Sequence, residues 1–210
     1  MSAALQAYAA GACSERAVLR VVSRSRLLVP VVAVLAEGAE PGAGGAEKAS
    51  EMAVPNLVGR DGRLAIPAFT CVDSLARWRP EARPTPAAAR EVWRAAAESQ
   101  CAVVIDIAGP VPLTVDGARL AALADGREAP WPHQDQDVLT AVRQATAGQD
   151  GIYGAALLPG DDAAGEDLVV ELAVTPGPAA AGLARLAGAR LAAALGERLR
   201  RGITVRAVIG

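Results

Sequence analysis

Few residues in this chain have the type and spacing to start a reaction. Lys48, the single lysine, lies in the glycine-rich run "GAGGAEKAS" and invites comparison with a phosphate-binding loop. Such a loop needs G-x-x-x-x-G-K-[ST], so that backbone amides and a magnesium-binding hydroxyl can face the phosphates. Counting from Gly42 puts Glu47 where the second glycine belongs and Ala49 where the hydroxyl belongs. A carboxylate facing phosphate repels it. The dinucleotide-binding pattern fails at the same Glu47, and the run joins two strand-like stretches instead of opening a helix.

His133 is the only histidine, so Ser-His-Asp chemistry would have to run through it. It sits in "WPH" with no G-x-S-x-G anywhere in the chain, and is expected to be a solvated linker residue. Zinc would need His133 together with Cys13, Cys71 and Cys101, which show no C-x-x-C spacing. Asp161, Asp162, Glu166 and Asp167 have the hard-oxygen chemistry of a calcium loop. They lack its alternating ligands and closing glutamate, and read as a solvated hairpin tip. The arginines of "ERLRR" complement the dipole at a helix end, with Glu197 among them arguing against a membrane-binding motif. No catalytic, cofactor-binding or metal-ligating set emerges.

The elements that would have to position any site are clearer. Residues 1–13 are small and weakly patterned, a frayed lead-in; "SERAVLRVVSR" reads as a helix and "LLVPVVAVLAE" as a strand. The stretch "GAEPGAGGAEKASE" that follows is expected to be a mobile hairpin loop. Two apolar runs flank Arg60, Asp61, Gly62 and Arg63, and Asp-Gly suits a type I′ turn, so residues 52–70 read as a hairpin with Pro55 and Pro67 at edges or bulges. Thr70 is placed to cap a helix with Asp73 in the capping-box position, and Pro80 ends it. A second helix is expected from Thr85 and Pro86, cap and first helical position. "CAVVIDIAG" reads as a buried strand, "PVPLTV" as its partner, and Asp116 as the cap of "GARLAALA".

After the aperiodic linker "DGREAPWPH", a smaller unit follows in the order helix, strand, strand, helix, strand. Its first helix carries Val138, Leu139, Val142 and Ala145 on one face, and Leu191, Leu195 and Leu199 recur at four-residue intervals near its end. The expected fold is α+β: a mixed-sheet domain with helices over 14–126, a linker at 127–134, and a three-stranded αββαβ unit over 135–210.

Bulk properties bound the function. The 210 residues are 52% apolar with a formal net charge of -2, which argues for a globular protein and against nucleic acid as a partner. The longest apolar run, Leu27 to Ala36, is interrupted by Pro30 and reaches about half the length of a membrane span. No basic region precedes an apolar one at the N-terminus, and three unpaired cysteines suit a reducing compartment, so a cytoplasmic protein off the membrane is expected.

Two stretches, "DGRLAIPAFTCVDSLARWRP" and "VVIDIAGPVPLTVDGARLAALADG", resemble the SseB-like N-terminal domain family of bacteria, associated by name with enhanced serine sensitivity. The shared pattern is an Asp-Gly turn, an "lPaFTs" element, a short helix with Trp, and a strand ending in Gly-Pro before a helix. Here these fall on Asp61 and Gly62, Pro67 to Thr70, Trp78, and Ile105 to Pro110, within roughly residues 15 to 126. The remainder is similar to the C-terminal domain often attached. Cys71 departs from the small hydroxyl residue usual there, and the resemblance carries over no catalytic residue.

Phe69, the only phenylalanine, is expected to plug a strand-to-helix corner that Trp78 closes from the other side. The competing expectation is an interaction surface formed by Asp61, Arg63, Phe69, Thr70 and Trp78. The sequence thus implies a non-catalytic protein-binding or regulatory module without cofactor, engaging a protein partner or its own copies by a sheet edge or the Phe69 corner. The alternative is an enzyme or small-molecule sensor with its pocket between the two parts.

Overall fold

The computed structural model describes residues 1–35, 50–59, 62–161 and 164–209. The glycine-rich loop with Lys48, the turn residue Asp61 and Asp162 lie outside the described residues. The fold is α+β with mixed sheets, and the chain divides into two compact units, Ser23–Asp116 and a discontinuous one made of Met1–Val22 with Gly117–Gly210. The division differs from the sequence boundaries because the first 22 residues group with Gly117–Gly210, the Tyr8 hydroxyl for one resting on the carbonyls of Glu197 and Arg198. No helix among the described residues is long and apolar enough to cross a membrane.

In the Ser23–Asp116 unit, β1 (Arg26–Leu35) lies antiparallel between β2 (Ser50–Ala53) and β5 (Arg83–Ala88). A second sheet runs β3 (Leu57–Val58), β4 (Leu64–Ala68), β6 (Ala102–Ile105) and β7 (Leu113–Val115). β3 and β4 form the expected hairpin, with Gly62 at φ +78° where a side chain would be strained. β4 and β6 are parallel, so the chain must cross over between them, and it does so through α3 (Val72–Trp78), β5 and α4 (Ala89–Glu98). Phe69 ties the two sheets together, exchanging backbone hydrogen bonds with Leu28 at 2.8 and 2.9 Å.

That exchange explains one correction. The helix expected from Thr85 and Pro86 is instead strand β5, and α4 begins at Ala89, where the Glu91 carboxylate accepts from the Ala88 amide at 3.1 Å. Each proline pushes the residue before it out of helical backbone. Because Leu28 spends its amide and carbonyl on Phe69, it turns neither toward β5, and Pro30, of the same parity, faces likewise. Their register partners Pro86 and Pro84 therefore sit at non-hydrogen-bonded positions, where a missing donor costs nothing.

In the other unit, β9 (Leu168–Val174) is the centre of a three-stranded sheet, antiparallel to β8 (Ile152–Pro159) and parallel to β10 (Ile203–Ile209). The expected order of helix, strand, strand, helix, strand is present, with α6 (Gln136–Thr146) before β8 and α7 (Ala180–Leu195) crossing over to β10. Alternate β9 residues, Leu168, Val170, Leu172 and Val174, pack on Val138, Val142, Leu191, Leu195 and Leu199. Two further helices, α2 (Glu15–Ser23) and α5 (Gly117–Ala124), supply buried Val18, Leu19, Leu120 and Leu123, with only the last residue of α2 outside this unit.

Residues 2–9 are not frayed but form helix α1, with Leu5 and Tyr8 buried and the Tyr8 hydroxyl on the carbonyls of Glu197 and Arg198. Two large side chains three residues apart suffice to anchor a short helix, although they leave almost no periodic signal.

Candidate functional site

The resemblance motifs converge at the end of β4. Past Ala68 and Phe69, the Thr70 amide donates to Asp106 Oδ1 at 2.9 Å and the Thr70 hydroxyl to Oδ2 at 2.5 Å. Asp106 is 5% exposed and lies just past β6, at φ +49°, a left-handed conformation that aspartate tolerates better than most residues. Its own amide donates to the Ala68 carbonyl at 2.9 Å, and its carbonyl accepts from Gly109 at 2.7 Å. A Cβ at position 109 would stand 3.0 Å from both the Asp106 Cβ and its carbonyl oxygen, so the close turn requires glycine. Thr70 is thus not the cap of α3, because its hydroxyl is already spent on a buried carboxylate.

Cys71 takes the cap position instead, and its exposed thiol lies 3.2 Å from the Ser74 hydroxyl. The Ser74 hydrogen bond draws the thiol below its ordinary value of 9.0, against slight desolvation and the Asp106 charge. Phe69 is wholly buried among Leu28, Val32, Leu75, Trp78 and Ala82, with its ring centroid 5.4 Å from that of Trp78. Trp78 is half-buried and carries the Arg79 guanidinium 4.9 Å over its ring. Arg63 pairs with Asp116 at 3.0 Å. Of the five residues expected to form one surface, Phe69 and Trp78 touch and Thr70 adjoins them through the chain. Phe69 faces the core, and Asp61 lies outside the described residues.

The discontinuous unit holds polar groups that sequence patterns did not single out. Glu15 is 6% exposed and accepts from both Arg119 and Arg198, and Arg198 also reaches Asp135. Asp135 in turn caps α6 by accepting the Asp137 amide at 2.8 Å. Glu15 stands in the first turn of α2, where an acid is ordinary, and nothing in the sequence distinguishes it. Tyr8 is pushed up to about 12, by its burial and then by the Glu15 charge.

Beside this network lies a cavity of about 320 Å³, lined among others by Arg16, Trp131, His133, Glu166 and Arg201. Arg16 holds the Ala129 carbonyl at 2.9 Å and covers the Trp131 ring at 4.2 Å, so the stretch expected to be a linker is built into the unit. His133 is half-buried there rather than solvated, and its ring stacks near Trp131. The acidic loop is likewise not a free hairpin tip. Glu166 accepts the Thr204 hydroxyl and Asp167 the Arg201 amide, which staples the loop to the start of β10. Among the described residues, no group of three or more His, Cys, Asp and Glu is placed to hold a metal ion.

The two sheet edges differ. On β8 the register slips between Ile152 and Gly154 around Tyr153, and the strand ends at Pro159. Bulges and edge prolines obstruct pairing with another strand. β10 has neither, keeping an unbroken register from Ile203 opposite Leu168 to Ile209 opposite Val174. Val208 and Ile209 are 40% and 60% exposed. Along β10 runs a groove of about 530 Å³, with Ile203, Val205 and Ala207 on one side and Ala181, Ala184, Arg185 and Gly188 of α7 on the other.

Comparison with known proteins gives a family and no nearer relative: no curated protein and no solved structure matches the chain. The model of the SseB protein N-terminal domain matches residues 1–122, more than half of the 210 residues, and so takes in the Thr70–Asp106 pair and the Phe69 corner together. The chain belongs to the SseB protein N-terminal domain family.

Proposed function

We propose that the chain is a non-catalytic, cytoplasmic protein-binding module that takes up an extended segment of a partner along β10. The observation that carries this reading is the unguarded edge: seven residues in regular register, no bulge or proline, apolar exposed side chains and a groove alongside. Strand addition draws affinity from main-chain hydrogen bonds and specificity from pockets for alternate side chains, and β10 offers both. Two buried carboxylates are committed to structure, Asp106 to Thr70 and Glu15 to two arginines. A formal net charge of -2 favours a protein partner over nucleic acid or an anionic membrane.

Selection of displayed random peptides on the immobilised chain tests this reading. Enriched sequences with alternating apolar residues, whose binding is lost on Ala207→Arg, are the expected result. Enriched peptides that bind the variant equally well would overturn it.

A second reading, a small-molecule sensor, is favoured by the 320 Å³ cavity, where the half-exposed Trp131 and the His133 ring stand together.

A further inference from the structure

We infer that the segment received by β10 is β10 of a second copy, paired antiparallel about a two-fold axis at Ala207. The inference rests on the reading of β10 as the recognition edge and names its partner. Two copies joined in this way would continue one sheet through three strands of each.

The register follows from chemistry. Residues directly opposite each other in an antiparallel pair project to the same face. Val205, Ala207 and Ile209 face the helix-covered side, being in register with Val170, Leu172 and Val174, while Thr204, Arg206 and Val208 face the other. Only a pairing with a residue on the axis keeps the two apolar sets together, which leaves Val205, Arg206 or Ala207 at the centre of the strand. Centring on Arg206 sets two guanidinium groups directly opposite, which is unfavourable. Centring on Val205 leaves Val208 and Ile209, the two large exposed apolar residues of the strand, beyond the overlap.

Centring on Ala207 sets Val205 against the partner copy's residue 209 and Arg206 against its residue 208. Both exposed apolar side chains are then covered. Arg206 keeps Glu171 as its neighbour on β9, so opposite charge stands beside it. On the helix side, Val205 and Ile209 of the second copy come to lie along the groove. There Ala181, Ala184 and Gly188 leave room beside the Arg185 side chain, which borders the same groove. The β8 edge, with its slip at Tyr153 and Pro159 at its end, has no comparable symmetric match.

Cross-linking gives the sharpest test. In a Cys13→Ser, Cys71→Ser background, Ala207→Cys would meet its own copy at a Cα separation of about 4.5–5.5 Å, within disulfide range. Mild oxidation is expected to give a covalent dimer of Ala207→Cys. Val205→Cys and Ile209→Cys should give one only when mixed, with unchanged melting temperatures as the control for folding. Light scattering of the unmodified chain should show mass rising toward twice the monomer with concentration, and Ile209→Lys should abolish the rise. A strictly monomeric mass, or a Val205→Cys self-dimer in place of the Ala207→Cys one, would overturn the inference. In that event, peptides that still bind at β10 would leave the recognition edge standing, whereas a monomer that selects no such peptide would remove both.

Discussion

Asp106 receives both the amide and the hydroxyl of Thr70, so a single buried carboxylate fixes the chain where β4 gives way to α3. Hydrogen bonds to a charged group contribute about 1.5–3 kcal/mol each, and an orphaned buried donor is costly. Asp106→Ala is therefore expected to lose roughly 3–4 kcal/mol in urea unfolding, through the lost bonds and the strained left-handed backbone. Asp106→Asn, which tolerates that backbone and keeps one acceptor, should lose about half as much. Equal losses for the two would show that the carboxylate, not backbone strain, dominates.

Phe69→Ala empties a fully buried site and should cost about 3–5 kcal/mol. Trp78→Ala, which removes a half-buried ring, should cost about 1–2 kcal/mol by the same large-to-small scale. Thermal melts of the two variants check the ranking; a larger loss at Trp78 would overturn the view that Phe69 anchors the corner.

Ser74 holds the Cys71 thiol low. Iodoacetamide should label Cys71 before Cys13, whose thiol is pushed up by burial. The pH midpoint of labelling at Cys71 should rise in Ser74→Ala, because the variant loses the hydrogen bond that stabilises the thiolate. An unmoved midpoint would assign the low value to another cause.

Burial and the Glu15 charge raise Tyr8 from 10.0 to about 12. The folded state therefore keeps a proton that the unfolded state releases, and the associated stability is fully present below pH 10 and lost as pH climbs toward 12. Melting temperatures from pH 9 to 12 should fall more steeply for the native sequence than for Tyr8→Phe. Parallel curves would show that Tyr8 does not set the alkaline limb.

Glu15 sits between two arginines in a nearly dry site. Glu15→Gln leaves both cations short of charge and should destabilise by about 3–5 kcal/mol, the range for breaking a buried pair. Replacing Glu15 and Arg119 together with apolar residues, while Arg198 keeps Asp135, should recover part of that loss. Failure to recover would mean that the network contributes more than charge compensation.

Where the fold was legible, local period and turn chemistry agreed with tertiary structure. Val138, Val142 and Ala145 mark one face of α6 at helical spacing, and the runs on either side of Gly62 became a hairpin. Thr85 and Pro86 misled because a helix start and a proline-tolerant edge strand use the same residue types, and only pairing with β1 decides between them. Phe69 was legible as a corner because a lone phenylalanine beside a helix start has few other uses. Asp106 was hidden inside an apolar strand motif, although an acid directly before "IAGP" is the one local sign of a buried acceptor. Glu15 gave no sign at all and Arg198 read only as one of the helix-end arginines of "ERLRR", since partners 183 residues apart leave no periodic trace.

That separation has a consequence for synthesis on the ribosome. The first helices belong to a unit whose remaining chain begins only at Gly117, and Glu15 cannot meet Arg198 until 183 further residues have been added. At about 5–20 residues per second, those 183 residues take roughly 10–40 s. Throughout that interval Tyr8 lacks the Glu197 and Arg198 carbonyls that its hydroxyl will hold, while all of the continuous Ser23–Asp116 unit has been made well before it ends. The helices around Tyr8 thus wait with their apolar side chains short of their final packing, a natural target for chaperones that scan emerging polypeptides.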